Sequence, residues 1–168
     1  MMDNFQIESA LRVLSDLTSN SRTRVKTYVI CSDEMHIVDW TKHTRIAVVQ
    51  NTDPCSKPGT HWVLWYSDKR RGHVEYFDSF GNPPTHYGLQ VPPYKIKPMN
   101  RSQFQSDSST VCAKYCLYVF YNRQIGRSFS SILKDFFATR RRYNDSIVSK
   151  FYSSICFSHS SKFEKTFI

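Results

Sequence analysis

The sequence predicts an α+β fold in which a mostly antiparallel central sheet packs against a buried helix that begins at Cys112. Two observations lead to this prediction. Residues 61–66 and 73–78 are aromatic and β-branched runs, and a polar connection ending in Gly72 joins them, as in a β-hairpin. Residues 105–111 are rich in helix-capping side chains, and the apolar segment that follows contains no Gly or Pro before Gly126.

The other elements follow from periodicity and from the positions of Gly and Pro. Apolar residues at helical spacing predict an amphipathic helix over residues 3–18 and packing helices within about 128–157. Residues 25–30, 36–40 and 45–50 have the composition of strands, with residues 46–49 central in the sheet. Residues 79–99 contain five prolines and two glycines, so we expect a long crossing loop. The whole chain, 1–168, is predicted to form a single domain.

Composition narrows the class of protein. Hydrophobic residues make up 40% of the chain and aromatic residues 15%, which favours a folded globular domain over a disordered one. The sequence has neither a long apolar run nor a charged and then apolar leader, so we expect no membrane association and no secretion. The expected location is the nucleus or the cytoplasm.

The cysteines predict a reducing environment. There are five, an odd number, and their spacing is irregular, so we expect no disulfide framework. A zinc site built from Cys55, His61, Cys112 and Cys116 would be an irregular ligand set without a Cys-x2-Cys pair, so no metal is predicted.

The net charge of +9 predicts attraction to polyanions, of which DNA or RNA is the most abundant in a cell. Positive residues cluster at 22–26, at 69–71 and at 140–142. The alternative is a solvated basic surface with no specific partner. The cluster at 140–142 closes a predicted helix, where the helix dipole favours cations in any case.

Cys112 is the candidate nucleophile. In the first turn of a helix, unpaired N–H groups and the positive end of the dipole stabilise a thiolate. The alternative is an inert cysteine in the core. His61 and Asp78 favour the reactive interpretation: if Tyr66 lies opposite His73, His61 lies opposite Asp78 on the same face of the hairpin. Asp78 could then accept the Nδ1–H of His61, leaving Nε2 to deprotonate a thiol.

These residues also carry a family resemblance. Gly59-Thr-His61-Trp62, then Tyr76-Phe-Asp78-Ser-Phe-Gly81, and then Gln105 seven residues before Cys112 resemble the adenovirus endopeptidase (adenain) and the related proteases of polinton-like and adintovirus-like elements. The resemblance is more distant to the SUMO-specific proteases. It spans about residues 45–125 and rests on the order His, acidic residue, Gln, Cys with intervals of 17, 27 and 7 residues.

The resemblance implies a papain-like cysteine protease with Cys112 as nucleophile, His61 as general base and Asp78 orienting the histidine. It makes Gln105 the side-chain donor of the oxyanion hole; Gln103 is a rival. It also implies that Trp62 lines the substrate cleft, although a strand tryptophan more often belongs to the core. One departure is Ala113, which stands where the family usually has Gly and whose methyl group is expected near the substrate backbone.

The resemblance therefore implies a viral-type endopeptidase that cuts precursor proteins at Gly-containing sites during virion maturation, in the virion and the host nucleus. No cofactor is required for its chemistry; DNA, a peptide or both are candidate activators, and the chain is expected to be monomeric. Two alternatives remain: a SUMO or ubiquitin-like deconjugating protease, and a non-catalytic, basic DNA-binding virion protein.

Overall fold

The computed structural model describes residues 2–18 and 24–163, with side chains described up to residue 156. Four helices and five strands follow one another in the order α1 (Asn4–Thr18), β1 (Lys26–Ile30), β2 (Arg45–Asn51), β3 (Trp62–Asp68), β4 (His73–Phe77), β5 (Ile96–Met99), α2 (Cys112–Gln124), α3 (Phe129–Leu133) and α4 (Arg141–Phe163). Short 3₁₀ turns lie at Met35–Ile37, Lys69–Arg71 and Pro84–Tyr87.

The strands form one mixed sheet in the order β1-β2-β3-β4-β5. The two central pairings, β2 with β3 and β3 with β4, are antiparallel. The two outer pairings, β1 with β2 and β4 with β5, are parallel. Helices and sheet belong to one packed unit, which confirms the α+β fold class.

Both faces of the sheet are buried, which explains why the central strands are almost continuously apolar. On one face, Ala47 and Val49 of β2 pack with residues of the helices α1, α2 and α4. On the other face, Ile46 and Val48 pack under residues 35–40 and 87–96. Residues 36–40 therefore do not form the expected strand: they begin with a 3₁₀ turn and contribute Val38 and Trp40 as a cover for the sheet.

The predicted hairpin register is wrong by two residues. Tyr66 lies opposite Glu75 rather than His73, because β3 continues through Ser67 to Asp68. The polar composition of Ser67 and Asp68 predicts a turn, but Asp68 has specific partners. It accepts from Arg45 of β2 and caps the Lys69–Arg71 turn by accepting from the backbone N–H of Arg70. A slip of two residues leaves every side chain on its predicted face.

The expectation that no disulfide forms is also wrong. Cys31 follows β1, and Cys55 lies in the loop after β2; the two are bonded, with their Cα atoms 5.3 Å apart. Parallel pairing places Ile30 beside Gln50, so the ends of the two strands lie next to each other. This proximity comes from the sheet and cannot be derived from cysteine spacing.

Among the described residues, no helix is both long enough and apolar enough to span a membrane.

Candidate active site

His61 and Asp78 are in direct contact. Nε2 of His61 lies 2.5 Å from Oδ1 of Asp78, and both residues are buried. His61 immediately precedes β3 and Asp78 immediately follows β4, so the ends of two neighbouring strands bring them together. The predicted contact exists, but the ring is turned the other way: Nε2, not Nδ1, faces the carboxylate, which leaves Nδ1 for the thiol.

Asp78 is held by donors on every side. Besides His61, the Oδ1 atom accepts from the backbone N–H of Phe80 at 3.0 Å, and Oδ2 accepts from the backbone N–H of Asn82 and from the hydroxyl group of Tyr87, both at 2.9 Å. Its own backbone N–H donates to Oδ1 of Asn100. A carboxylate with no solvent exposure is tolerated when its lone pairs are satisfied in this way.

Cys112 is the first residue of α2 and is buried, with 1% of its surface exposed. The N-cap is Val111, which provides no side-chain cap, so the capping role expected of residues 107–110 is not realised. The backbone N–H groups of Lys114 and Tyr115 both donate to the Val111 carbonyl group. The two N–H groups before these, of Cys112 and Ala113, have no acceptor in the preceding turn of a helix and are available to stabilise an anion near Cys112.

His61 has unusual electrostatics. Burial by itself lowers its pKa, but hydrogen bonds to Asp78 and to Cys112, with the charges of the same two residues, raise the pKa of His61 from 6.5 to about 9. Asp78 and Cys112 therefore both favour the imidazolium form of His61. The ring also lies against Phe80, with centroids 4.8 Å apart, and against Tyr87 at 5.6 Å.

Gln105 is buried beside the loop that leads to Cys112. Its Oε1 accepts from the hydroxyl group of Ser79 at 2.7 Å, and its Nε2 donates to the carbonyl of Ser109 at 2.8 Å. One N–H of the amide is therefore committed, and the other is left for a ligand. The rival Gln103 donates to the Gln105 carbonyl and to the Asp107 carboxylate.

Trp62 and Ala113 both lie in the hydrophobic core. Trp62 is 2% exposed, and its indole N–H donates to the Met2 carbonyl group. Ala113 is 1% exposed and belongs to the same cluster. The Ala113 methyl group is therefore enclosed by the core, whereas it was expected beside the substrate. The substrate-binding role of Trp62 stays a prediction, and a bound substrate would have to expose part of its ring.

Sequence reasoning missed Asn82, Tyr87 and Asn100, which hold Asp78. The signal for one of them was present: Asp followed by Ser-Phe-Gly-Asn is a turn sequence in which the carboxylate accepts from backbone N–H groups further along the chain. Tyr87 and Asn100 come from the long crossing loop and from the residue after β5, so only the folded chain brings them to Asp78.

The basic clusters are partly neutralised. Arg70 pairs with Asp68 at 2.8 Å, and Arg141 lies 3.5 Å from Asp107. In the cluster at 22–26, Arg22 lies outside the described residues. Cys55, a member of the zinc ligand set that the sequence analysis rejects, is joined to Cys31 and is not available as a partner for Cys112.

No protein-family model and no curated protein matches the chain. Among solved structures it is similar to the ASFV pS273R protease, with 24% identity and a TM-score of 0.41, covering 60% of this chain and 42% of that one. It is also similar to the SUMO protease Ulp1, with 12% identity and a TM-score of 0.46, covering 90% of this chain and 78% of Ulp1. A further structure contains the Ulp1 protease domain in complex with Smt3, the yeast ortholog of SUMO. The chain thus spans less than half the length of the ASFV protease, and both similar proteins are proteases.

Proposed function

We propose that this chain is a cysteine endopeptidase in which Cys112, His61 and Asp78 act as a triad. The observation that supports this most directly is the 2.5 Å contact between His61 Nε2 and Asp78 Oδ1, together with the interaction of the same imidazole with Cys112. Asp78 is fully enclosed, so it can orient the ring without solvent competing for the hydrogen bond.

The proposed reaction proceeds through an acyl-enzyme. The Cys112 thiolate attacks the scissile carbonyl carbon, and the imidazolium of His61 then gives its Nδ1 proton to the leaving amine. Neutral His61 then takes a proton from water, and the resulting hydroxide attacks the thioester. The acid product is released, and the Cys112 thiolate and the His61 imidazolium are restored. Asp78 stays ionised and holds the Nε2–H throughout.

The oxyanion that forms during each attack needs preorganised donors. The backbone N–H of Cys112 lies in the first turn of α2, and the uncommitted N–H of Gln105 is the proposed second donor. Ser79 supports Gln105 by donating to its Oε1, so the amide nitrogen points away from Ser79. Loss of one such donor costs roughly 10²- to 10³-fold in rate.

The proposed substrates are precursor proteins cut at Gly-containing sites, in virion maturation, with DNA as an electrostatic partner or activator. The net charge of +9 supports an interaction with DNA. It does not bear on the cleavage sites or on virion maturation. A folded SUMO-like modifier is the competing substrate class, and a basic DNA-binding protein without activity is the non-enzymatic alternative.

The test is cleavage of fluorogenic peptides ending in Gly-Gly and of a SUMO fusion, each with and without DNA. Cys112→Ala should abolish cleavage, because Cys112 is the thiol that interacts with His61. Cys116→Ala is the matched control: it lies one turn further along α2, is equally buried and contacts the Trp62 carbonyl group, so it should retain activity.

Cleavage that survives Cys112→Ala would refute the triad. Cleavage of the fusion but not of the peptides would identify a deconjugating enzyme. Salt-dependent DNA binding without any cleavage, under all conditions, would favour the non-enzymatic alternative.

A further inference from the structure

Tyr87 lies beside the proposed triad without being one of its members. It ends the Pro84–Tyr87 turn, a segment of the long crossing loop whose Pro84 and Leu89 are anchored in the protein interior. Its hydroxyl group donates to Oδ2 of Asp78 at 2.9 Å, and its ring lies 5.6 Å from the ring of His61. It therefore touches two members of the triad at once.

The direction of the Tyr87 hydrogen bond is fixed by its neighbour. Nδ2 of Asn82 lies 3.0 Å from the Tyr87 hydroxyl oxygen, and an amide nitrogen can only donate. The hydroxyl oxygen thus accepts from Asn82, and its proton is committed to Asp78. The bond to Asp78 is therefore a charge-assisted one, with the tyrosine as donor.

We propose that Tyr87 is a positioning residue: by holding Oδ2 of Asp78, it keeps Oδ1 aligned with Nε2 of His61. This inference rests on the proposed function. The other donor to Oδ2 is the backbone N–H of Asn82, which is part of the same turn as Asp78 and can move with it. Tyr87 belongs to a separately anchored turn, so it fixes the carboxylate against rotation relative to the rest of the site.

The titratable groups near His61 and Tyr87 determine which ionisations would appear in a pH profile of this site. The titratable groups acting on His61 are Asp78 and Cys112. Tyr87 is influenced by Asp78 and Cys112, and His86 packs edge-on against its ring. Burial first, and then the nearby charge of Asp78, raises the pKa of Tyr87, so its hydroxyl group stays protonated as a donor through the working range.

The test is Tyr87→Phe, which keeps the ring against His61 and removes only the hydroxyl group. If Asp78 loses its alignment, the imidazolium is less stable and the thiolate it accompanies is less populated. We expect kcat to fall roughly tenfold with KM unchanged, the fold-change expected for one charge-assisted hydrogen bond. The alkaline limb of the pH–rate profile should move to lower pH, because His61 loses its proton more readily.

A second readout needs no substrate. Alkylation of Cys112 by iodoacetamide, followed against pH by peptide mass spectrometry, should fall at pH 6 in Tyr87→Phe. Trypsin cuts after Lys114, which places Cys112 and Cys116 on different peptides. Tyr118→Phe is the matched control, because the Tyr118 hydroxyl group also donates to a carboxylate, that of Asp135 at 2.8 Å, with no contact to His61. It should leave both profiles unchanged.

An unchanged rate and profile in Tyr87→Phe would overturn the positioning role. A shift of the alkaline limb of the pH–rate profile to higher pH would also overturn it. That shift is expected if the hydroxyl group only withdraws charge from Asp78. The proposed function fails separately: no peptide would be cut, and at pH 6 wild-type Cys112 would be alkylated no faster than an ordinary buried cysteine. In that case the role of Tyr87 falls with it.

Discussion

Asp78→Asn is the most informative perturbation of the candidate site. The carboxylate accepts from four donors, and an amide offers only one acceptor oxygen. If that oxygen keeps the donors on the Oδ2 side, the amide nitrogen faces Nε2 of His61. The imidazole can then remain neutral only with its proton on Nδ1, toward Cys112, which is the wrong tautomer for a base.

The size of the expected loss of activity in Asp78→Asn follows from the electrostatics of His61. Its pKa is raised from 6.5 to about 9 despite burial, which acts in the opposite direction. At about 1.4 kcal/mol per pKa unit, this corresponds to about 3 kcal/mol in favour of the imidazolium. Loss of that stabilisation predicts a fall in kcat/KM of up to about 300-fold.

The same shift predicts a pH dependence of stability. Because the pKa of His61 is higher in the folded protein, its contribution is fully present below pH 6.5 and is lost as the pH rises through about 9. In urea unfolding, the free energy of unfolding of the wild type should therefore fall between pH 6.5 and about pH 9. In Asp78→Asn this fall should be smaller.

The assay combines kcat/KM against pH with unfolding at pH 6 and pH 9. Asp135→Asn is the matched control: its carboxylate is also hydrogen-bonded, to Arg127 and Tyr118, but it has no contact with His61. It should lower stability and leave the pH profile of cleavage in place. A wild-type rate in Asp78→Asn, or the same decline in stability between pH 6.5 and pH 9, would refute the reasoning.

Two further predictions concern the frame around the site. Gly81→Ala should lower the free energy of unfolding by about 2 kcal/mol or more and should reduce activity. Gly81 has a φ of 75°, and a Cβ there would lie 2.7 Å from the carbonyl carbon of Ser102. Denaturant unfolding that matches the wild type would contradict this prediction. Cys55→Ser should lower the free energy of unfolding by about 3.5 kcal/mol in nonreducing buffer, since the Cys31–Cys55 bond closes a loop with a sequence separation of 24. Dithiothreitol should lower the stability of the wild type to that of the variant and leave the stability of the variant unchanged.

The contact between His61 and Asp78 could be predicted from the sequence even though the register was wrong. Side chains alternate between the faces of a strand, so a slip of two residues preserves the face and leaves the two residues near each other. The slip itself arose at Ser67 and Asp68, which have the composition of a turn. Pairing of Asp68 with Arg45 of β2 explains why the strand continues.

The orientation of the His61 ring could not be predicted, because it depends on contacts distant in sequence. Asp78 is held by Tyr87 and Asn100, whose positions depend on the path of the crossing loop. The Cys31–Cys55 bond depends in the same way on the parallel pairing of β1 with β2. Local patterns predict elements and faces, whereas these contacts follow from how the elements are assembled.

The turn after β4 contacts both the His61–Asp78 pair and the proposed oxyanion donor Gln105. Asp78 begins it and contacts His61, and the next residue, Ser79, accepts from the backbone N–H groups of Phe104 and Gln105 and donates to the Gln105 side chain. The orienting carboxylate and the proposed oxyanion donor are therefore fixed by adjacent residues. Because Gly81 allows the chain at 101–102 to approach this turn closely, a side chain there would displace both groups together. A substitution at Gly81 should consequently impair the orientation of His61 and the stabilisation of the oxyanion at once, whereas Asp78→Asn should affect only the first.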